Sequence, residues 1–212
     1  MPDLPTARSS ASAAVLGTDK VIVLGGVEKK GDSNACEVMN VQKRIWKKLR
    51  SMREGLFKPL LTVLNSDVYI LKNSDNIPTD TKLMVYHTAS DTYTYTDSKL
   101  PTVVTNTWGA CLVRLGAHLF LFGGQKRLSH QYSPLSDQWV QISQPHNQYD
   151  WLCDCKAVTD RDTILLCGGK DSEGECKLVE KYDTVTDQWT PSDITLPFDF
   201  WFLGSFVCLL PE

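Results

Sequence analysis

Leu119-Phe120-Leu121-Phe122-Gly123-Gly124 is a short apolar run that stops on paired glycines, and Tyr132 and Trp139 follow it seven residues apart. The same arrangement occurs at Val21-Ile22-Val23-Leu24-Gly25-Gly26, followed by Met39 and Trp46. It occurs again at Ile164-Leu165-Leu166-Cys167-Gly168-Gly169, followed by Tyr182 and Trp189. A worn copy lies between the first two: Val68-Tyr69-Ile70-Leu71 leads to Lys72-Asn73 in place of the glycines, and Tyr86 is followed by Tyr93 in place of Trp. The first residues of these four sites, 25, 72, 123 and 168, are spaced by 47, 51 and 45. Self-similarity at such a period marks a repeat fold in which each unit covers its neighbour. Asn73 tolerates left-handed backbone better than most residues, which suits replacement of a Gly there, while loss of both glycines and the Trp implies some distortion of this unit.

Each repeat reads as four strands. In the third, residues 110–115 form a first run and Gly116-Ala117 a turn. Residues 119–122 are apolar at every position, as in a strand covered on both faces. Residues 125–129 read as a loop, a short third run begins at Gln131-Tyr132, and residues 133–137 make a polar turn. Residues 139–142 alternate and so read as a half-exposed fourth strand. The other repeats keep this order, with first and second strands at 12–16 and 21–24, 60–64 and 68–71, and 155–159 and 163–167. Helical periodicity is absent at useful length. Four short strands in about 50 residues cannot cover both faces of their sheet, but radially stacked copies do, as a propeller.

The expectation is an all-β propeller of four four-stranded antiparallel sheets forming a single domain over residues 1–212. Its repeats span about 4–50, 51–98, 99–144 and 145–194, and 198–210 start a fifth. Gly25, Gly26, Trp46, Tyr86, Gly123, Gly124, Tyr132, Trp139, Gly168, Gly169, Tyr182 and Trp189 then have structural roles. Burying one such large side chain contributes on the order of 1.5–3 kcal/mol.

Composition is that of an ordered soluble chain, with 42% hydrophobic and 22% charged residues. No apolar stretch approaches the roughly 20 residues needed to span a bilayer, and the start, Met1-Pro2-Asp3-Leu4-Pro5, lacks a signal-peptide pattern. Seven cysteines, an odd number in a chain of this size, favour reduced thiols and a cytoplasmic setting. The net charge of −3 is uneven: residues 1–60 carry +5 and the remainder −8. Lys43, Arg44, Lys47, Lys48, Arg50 and Arg53 supply most of the basic excess, which suits a solubilising outer strand or an acidic partner. Nucleic acid is disfavoured by the acidic whole.

Catalytic signals are weak. His87, His118, His130 and His146 are scattered, without metal-ligand spacing. Cys153-Asp154-Cys155 has one residue between thiols and reads as structural. No nucleophile elbow or phosphate-binding loop occurs, and Gly-Gly opens no helix. Asp91, Asp137 and Asp187 fall at turns, where their side chains bond backbone. No cofactor or metal is indicated.

The Gly-Gly pair after four apolar residues, followed by Tyr, six residues and Trp, resembles the kelch repeat. Leu4-Pro5-Thr6-Ala7-Arg8 before the first strand, and Tyr-x4-Asp-Gln-Trp at Tyr132–Trp139 and Tyr182–Trp189, are similar to kelch-like (BTB-kelch) proteins in particular. The resemblance implies a protein client bound by loops at one end of the propeller. The loops before each first strand would offer Arg8, Ser10, Phe57, Trp108, Tyr149 and Trp151. The loops after each Gly-Gly begin at Val27, Ser74, Gln125 and Lys170. Arg8 falls on the family's Arg position, while Leu56, Thr107 and Leu152 stand there in later repeats. Packing between sheets is the competing role for Trp108 and Trp151. The likeness implies substrate recognition for a cullin-based ubiquitin ligase, the cullin being recruited through a BTB region absent from this chain. A cytoskeletal (actin-associated) kelch protein and a sugar-directed enzyme of the same fold are the alternatives. Kelch propellers commonly close with five to seven repeats, so four imply part of a longer propeller or a small ring closed by the last strand.

Overall fold

The computed structural model describes residues 2–124, 128–145, 155–168 and 178–195. These form an all-β structure of four four-stranded antiparallel sheets. Sheet 1 begins with β1 (Ser12–Leu16) and β2 (Lys20–Leu24). A small hairpin, β3 (Val27–Glu28) with β4 (Gly31–Asp32), follows, and β5 (Cys36–Asn40) and β6 (Ile45–Lys48) complete the sheet. Sheet 2 comprises β7 (Leu60–Leu64), β8 (Asp67–Leu71), β9 (Lys82–His87) and β10 (Thr92–Lys99). Sheet 3 comprises β11 (Cys111–Leu115), β12 (His118–Gly123), β13 (Leu128–Ser133) and β14 (Gln138–Gln141). Sheet 4 comprises β15 (Lys156–Asp160), β16 (Thr163–Cys167), β17 (Leu178–Asp183) and β18 (Gln188–Thr195). In every sheet the strands neighbour one another in chain order. No helix among the described residues is long and apolar enough to cross a membrane.

The chain divides into two compact units, one of residues 1–73 and 82–99, the other of 74–81 and 100–212. Each has its own core. In the first, Ile22 and Leu24 of β2 meet Val68, Ile70, Met84 and Tyr86 of sheet 2. In the second, Phe120 and Phe122 of β12 meet Ile164, Leu166, Tyr182 and Trp189 of sheet 4. Strand β12 is apolar throughout because both faces are covered: Leu119, Phe120, Leu121 and Phe122 are all at most 2% exposed.

The seven-residue spacing now has a geometric cause. Met39 lies opposite Trp46, Tyr86 opposite Tyr93, Tyr132 opposite Trp139 and Tyr182 opposite Trp189, each pair facing across the outer hairpin. The rings stack obliquely, with centroids 4.8 Å apart for Tyr86–Tyr93 and 5.0 Å for the other two aromatic pairs. Such cross-strand aromatic pairs are the unit of sheet stabilisation.

Each hairpin turns through a left-handed residue five positions after the first member of the pair: Arg44, Asp91, Asp137 and Asp187, with φ between 51° and 56°. Aspartate serves a second purpose there. The Tyr86 hydroxyl donates to Asp91 at 2.7 Å, Tyr132 to Asp137 at 2.6 Å and Tyr182 to Asp187 at 2.9 Å. The same carboxylate oxygen of Asp91 accepts the Arg50 N–H at 2.8 Å, and that of Asp187 accepts the Ser143 N–H at 2.9 Å. Arg50 and Ser143 follow the outer strands of sheets 1 and 3, so each aspartate also ties its sheet to the preceding one in its unit. Asp91 and Asp187 do bond backbone, but that of a neighbouring sheet.

The worn repeat keeps this tie. The Tyr93 hydroxyl donates to the Arg50 carbonyl at 2.8 Å, as Trp189 Nε1 does to the Ser143 carbonyl at 2.9 Å. Two ring types therefore reach equivalent acceptors. At the glycine site, however, sheet 2 departs from the others and the tolerance of Asn73 goes unused: neither Lys72 nor Asn73 has a positive φ, so no left-handed turn forms. In sheet 1 the glycines are required by close approach. A Cβ on Gly25 would lie 2.5 Å from the Leu56 carbonyl oxygen, and one on Gly26 would overlap that of Ser9, with both residues at positive φ.

Two further expectations change. Strand β13 begins at Leu128, where a loop was expected to continue through Ser129, because Ser129 and His130 are polar yet buried (1% and 4% exposed). Trp189 is buried but Trp46 and Trp139 are only half-buried. The expected start of a fifth repeat at 198–210 lies outside the described residues, as does Gly169.

Replacing Trp189 by Ala is expected to cost about 3–5 kcal/mol in urea denaturation, and Trp139→Ala clearly less; equal losses would contradict this packing. The turn carboxylates predict a pH response. The Arg50 N–H, then the Tyr86 hydroxyl, hold Asp91 below the ordinary 3.8. Burial pushes Asp187 up, but the Ser143 N–H and Tyr182 hydroxyl outweigh it and leave that group lowered as well. A lowered folded-state value stabilises above the ordinary one, and the gain disappears as pH falls through the folded value. Asp91→Asn should therefore flatten the acid limb of the stability curve below about pH 4, checked by thermal melts between pH 7 and 3.

Candidate functional site

The segments preceding the first strands are held by backbone ladders with the loops that follow the second strands. In the first unit, Ser9 and Val27 exchange hydrogen bonds at 3.1 and 2.7 Å. Gly26 donates to the Leu56 carbonyl at 2.8 Å, and Leu56 donates to that of Ser33 at 3.1 Å. Ser10, at φ 52°, accepts the Lys58 N–H at 3.1 Å. Phe57 is half-buried, and the Lys58 ammonium sits 5.9 Å from its ring centroid. These loops are rigidly braced, which suits a surface that presents side chains in fixed positions.

Arg8 is turned inward. Its side chain is 0% exposed and that of Glu37 1%. The guanidinium donates to Glu37 at 2.7 Å, to the Thr6 carbonyl at 2.9 Å and to the Val23 carbonyl at 3.2 Å. Thr6 Oγ1 donates to the other Glu37 oxygen at 2.7 Å. This buried ion pair fixes the segment ahead of β1 against β2 and β5. A single Arg in the sequence gives no sign of its partner, 29 residues away.

In the second unit the equivalent ladder joins 74–77 to 105–107. Ser74 donates to Thr107 Oγ1 at 3.1 Å, and Thr107 returns a bond to the Ser74 carbonyl at 2.8 Å. Ile77 donates to the Thr105 carbonyl at 2.8 Å, and the Asn106 amide donates to the Asp75 carbonyl at 3.0 Å. Asn106 Oδ1 accepts the Trp108 N–H at 2.8 Å and thereby fixes the Trp108 backbone. The Trp108 residue is 42% exposed, so it projects from this braced loop. Gln125, Tyr149, Trp151 and Lys170 lie outside the described residues, as do Leu152 and Cys153.

Three polar groups that the sequence left without roles lie in distinct surroundings. His87 lies between Asp67 (2.9 Å) and Thr94 (2.8 Å) on the half-exposed end of sheet 2. His130 is buried, which lowers its basicity, and its Nδ1 has no hydrogen-bond partner among the described residues. Cys36 is pushed up to about 11, chiefly by burial. Among the described residues no three His, Cys, Asp or Glu side chains gather at metal-binding range.

The family profile for the kelch motif matches residues 152–192. Kelch-like protein 23 of Pongo abelii is 27% identical over 194 residues, 88% of this chain and 33% of that protein. Kelch-like protein 23 of Homo sapiens is 25% identical over 175 residues, 80% of this chain and 30% of that protein. The chain thus spans about a third of the length of the curated relatives it matches. The solved structure of YjhT superposes with a TM-score of 0.73 at 14% identity, over 94% of this chain and 69% of that one.

Removing Arg8 would strand the Glu37 carboxylate in the interior. Arg8→Ala is expected to lower stability by about 3–5 kcal/mol, measured by denaturant titration; a loss under 1 kcal/mol would mean that water replaces the guanidinium. Motif, sequence likeness and fold agree: the chain carries a kelch motif over residues 152–192, resembles the kelch-like proteins and has a β-propeller fold.

Proposed function

We propose that this chain is a non-catalytic protein-binding module, whose loops select a protein client. The observation that carries this reading is Trp108, a residue 42% exposed on a loop braced by 74–77. Tryptophan and arginine dominate the binding energy of protein interfaces, and a rigid anchor loses little entropy on binding. Phe57 and Ser10, on the braced loops of the first unit, serve the same role there. Arg8 is a positioning residue, because its guanidinium is taken up by Glu37.

Likeness to kelch-like protein 23 supports a finer reading. The module is the client-selecting part of a cytoplasmic adaptor for a cullin-based ubiquitin ligase, the cullin being engaged by a BTB region outside this chain. The test is crosslinking capture from cell extract followed by affinity measurement on the recovered proteins. Trp108→Ala is expected to weaken client binding at least about tenfold, while Leu135→Ala, a change at a fully exposed hairpin tip, leaves it unchanged. Equal affinity of both variants would sink the Trp108 assignment, and co-sedimentation with actin filaments would replace the client reading with a cytoskeletal one.

A further inference from the structure

Strands β11 and β15 are the first strands of sheets 3 and 4 and lie side by side. Cys111 opens β11 and Cys155 immediately precedes β15. Their sulfurs are 3.8 Å apart, van der Waals contact, in a site where Cys111 is 8% exposed and Cys155 0%. Both belong to the second unit and to its apolar core, with Phe120, Phe122 and Ile164. Cys155 also contacts the Gly109 carbonyl at 3.9 Å, on the loop that carries Trp108. Cys36 and Cys167 are buried too, and the Cys167 thiol donates to the Leu165 carbonyl at 3.9 Å.

We propose that Cys111 and Cys155 form a peroxide-reactive dithiol that closes to a disulfide joining sheets 3 and 4. The sulfurs need approach by less than 2 Å to reach the bonded distance of about 2.05 Å. Cys111 is the thiol that peroxide meets first, being the more exposed. Hydrogen bonding with the Cys155 sulfur also holds its thiol below the usual range, against the burial that raises it.

The steps balance. The Cys111 thiolate attacks one oxygen of hydrogen peroxide, the O–O bond breaks, and hydroxide leaves to become water with the proton that Cys111 released. The sulfur, oxidised by two electrons, is then a sulfenic acid. The Cys155 sulfur attacks it, the S–O bond breaks, and the hydroxyl departs as a second water carrying the Cys155 proton. Two thiols and one peroxide give one disulfide and two waters. The new bond spans 44 positions of chain.

The experiment treats the intact protein with hydrogen peroxide, blocks remaining thiols under denaturing conditions and maps peptides by mass spectrometry. The wild type should yield one Cys111–Cys155 crosslinked peptide pair, lighter by about 2 Da than the two thiols and restored by dithiothreitol. Cys155→Ser should abolish the crosslink and leave Cys111 labelled by dimedone, a sulfenic-acid probe, whereas Cys111→Ser should leave Cys155 unlabelled at the same dose. The wild-type map stands alone if either variant fails to fold. A disulfide from Cys155 to Cys153, or Cys111 and Cys155 no more reactive than buried Cys36, would overturn the proposal.

Discussion

A tyrosine hydroxyl buried between sheets must find an acceptor, and the turn aspartate five residues later supplies it. Three of the four sheets meet that demand at one place. The left-handed turn that closes the outer hairpin, present also at Arg44 of sheet 1, lets an aspartate aim its carboxylate back at the ring. Closing the hairpin sets the partner ring opposite the tyrosine, which fixes the spacing of seven. At Asp91 and Asp187 the same oxygen also accepts a backbone N–H from the sheet before, so one ionised side chain serves hairpin and inter-sheet junction together. Hydrogen bonds to a charged acceptor are stronger than neutral ones, and these lie where the sheets meet.

Periodic features were legible in the sequence because they are local. The all-apolar second strands, the Tyr and Trp positions and the Asp turns all lie within one repeat, and each maps to one strand or hairpin. What escaped was set by neighbours. Polar Ser129 and His130 look like loop residues, but the register of β13 with β12 puts both in the interior. Tyr93 looks like a lost Trp, yet its hydroxyl reaches the acceptor that an indole would. Asn73 looks like a glycine substitute, but the chain leaves sheet 2 for the ladder along 105–107 and needs no left-handed turn.

The loops were legible only in part. Trp108 stays 42% exposed beside Asn106 and Thr107, which bond its own N–H and that of Ser74. Arg8 went the other way. A charge ahead of a strand reads as surface, and only the fold brings Glu37 of β5 against it. The Cys111–Cys155 contact is equally invisible in sequence, since it arises from the adjacency of two first strands in different repeats.

Sheet 1 departs from the rule that governs the others. It carries Met39 and Arg44 where they carry Tyr and Asp, so its outer hairpin has no carboxylate tie at that corner. Asn40 instead donates to Asp19 at 2.7 Å, binding the hairpin to the first turn of its own sheet. Sheets 2 and 4 are therefore fastened sideways at this corner, and the corner of sheet 1 is fastened to its own sheet. Cooperativity follows the fastening: opening of the outer corner of sheet 2 or 4 must release its predecessor, whereas the Arg44 turn, beyond the ties of Glu37 to Arg8 and of Arg50 to Asp91, can breathe by itself, its amides exchanging with solvent while the core beneath stays closed.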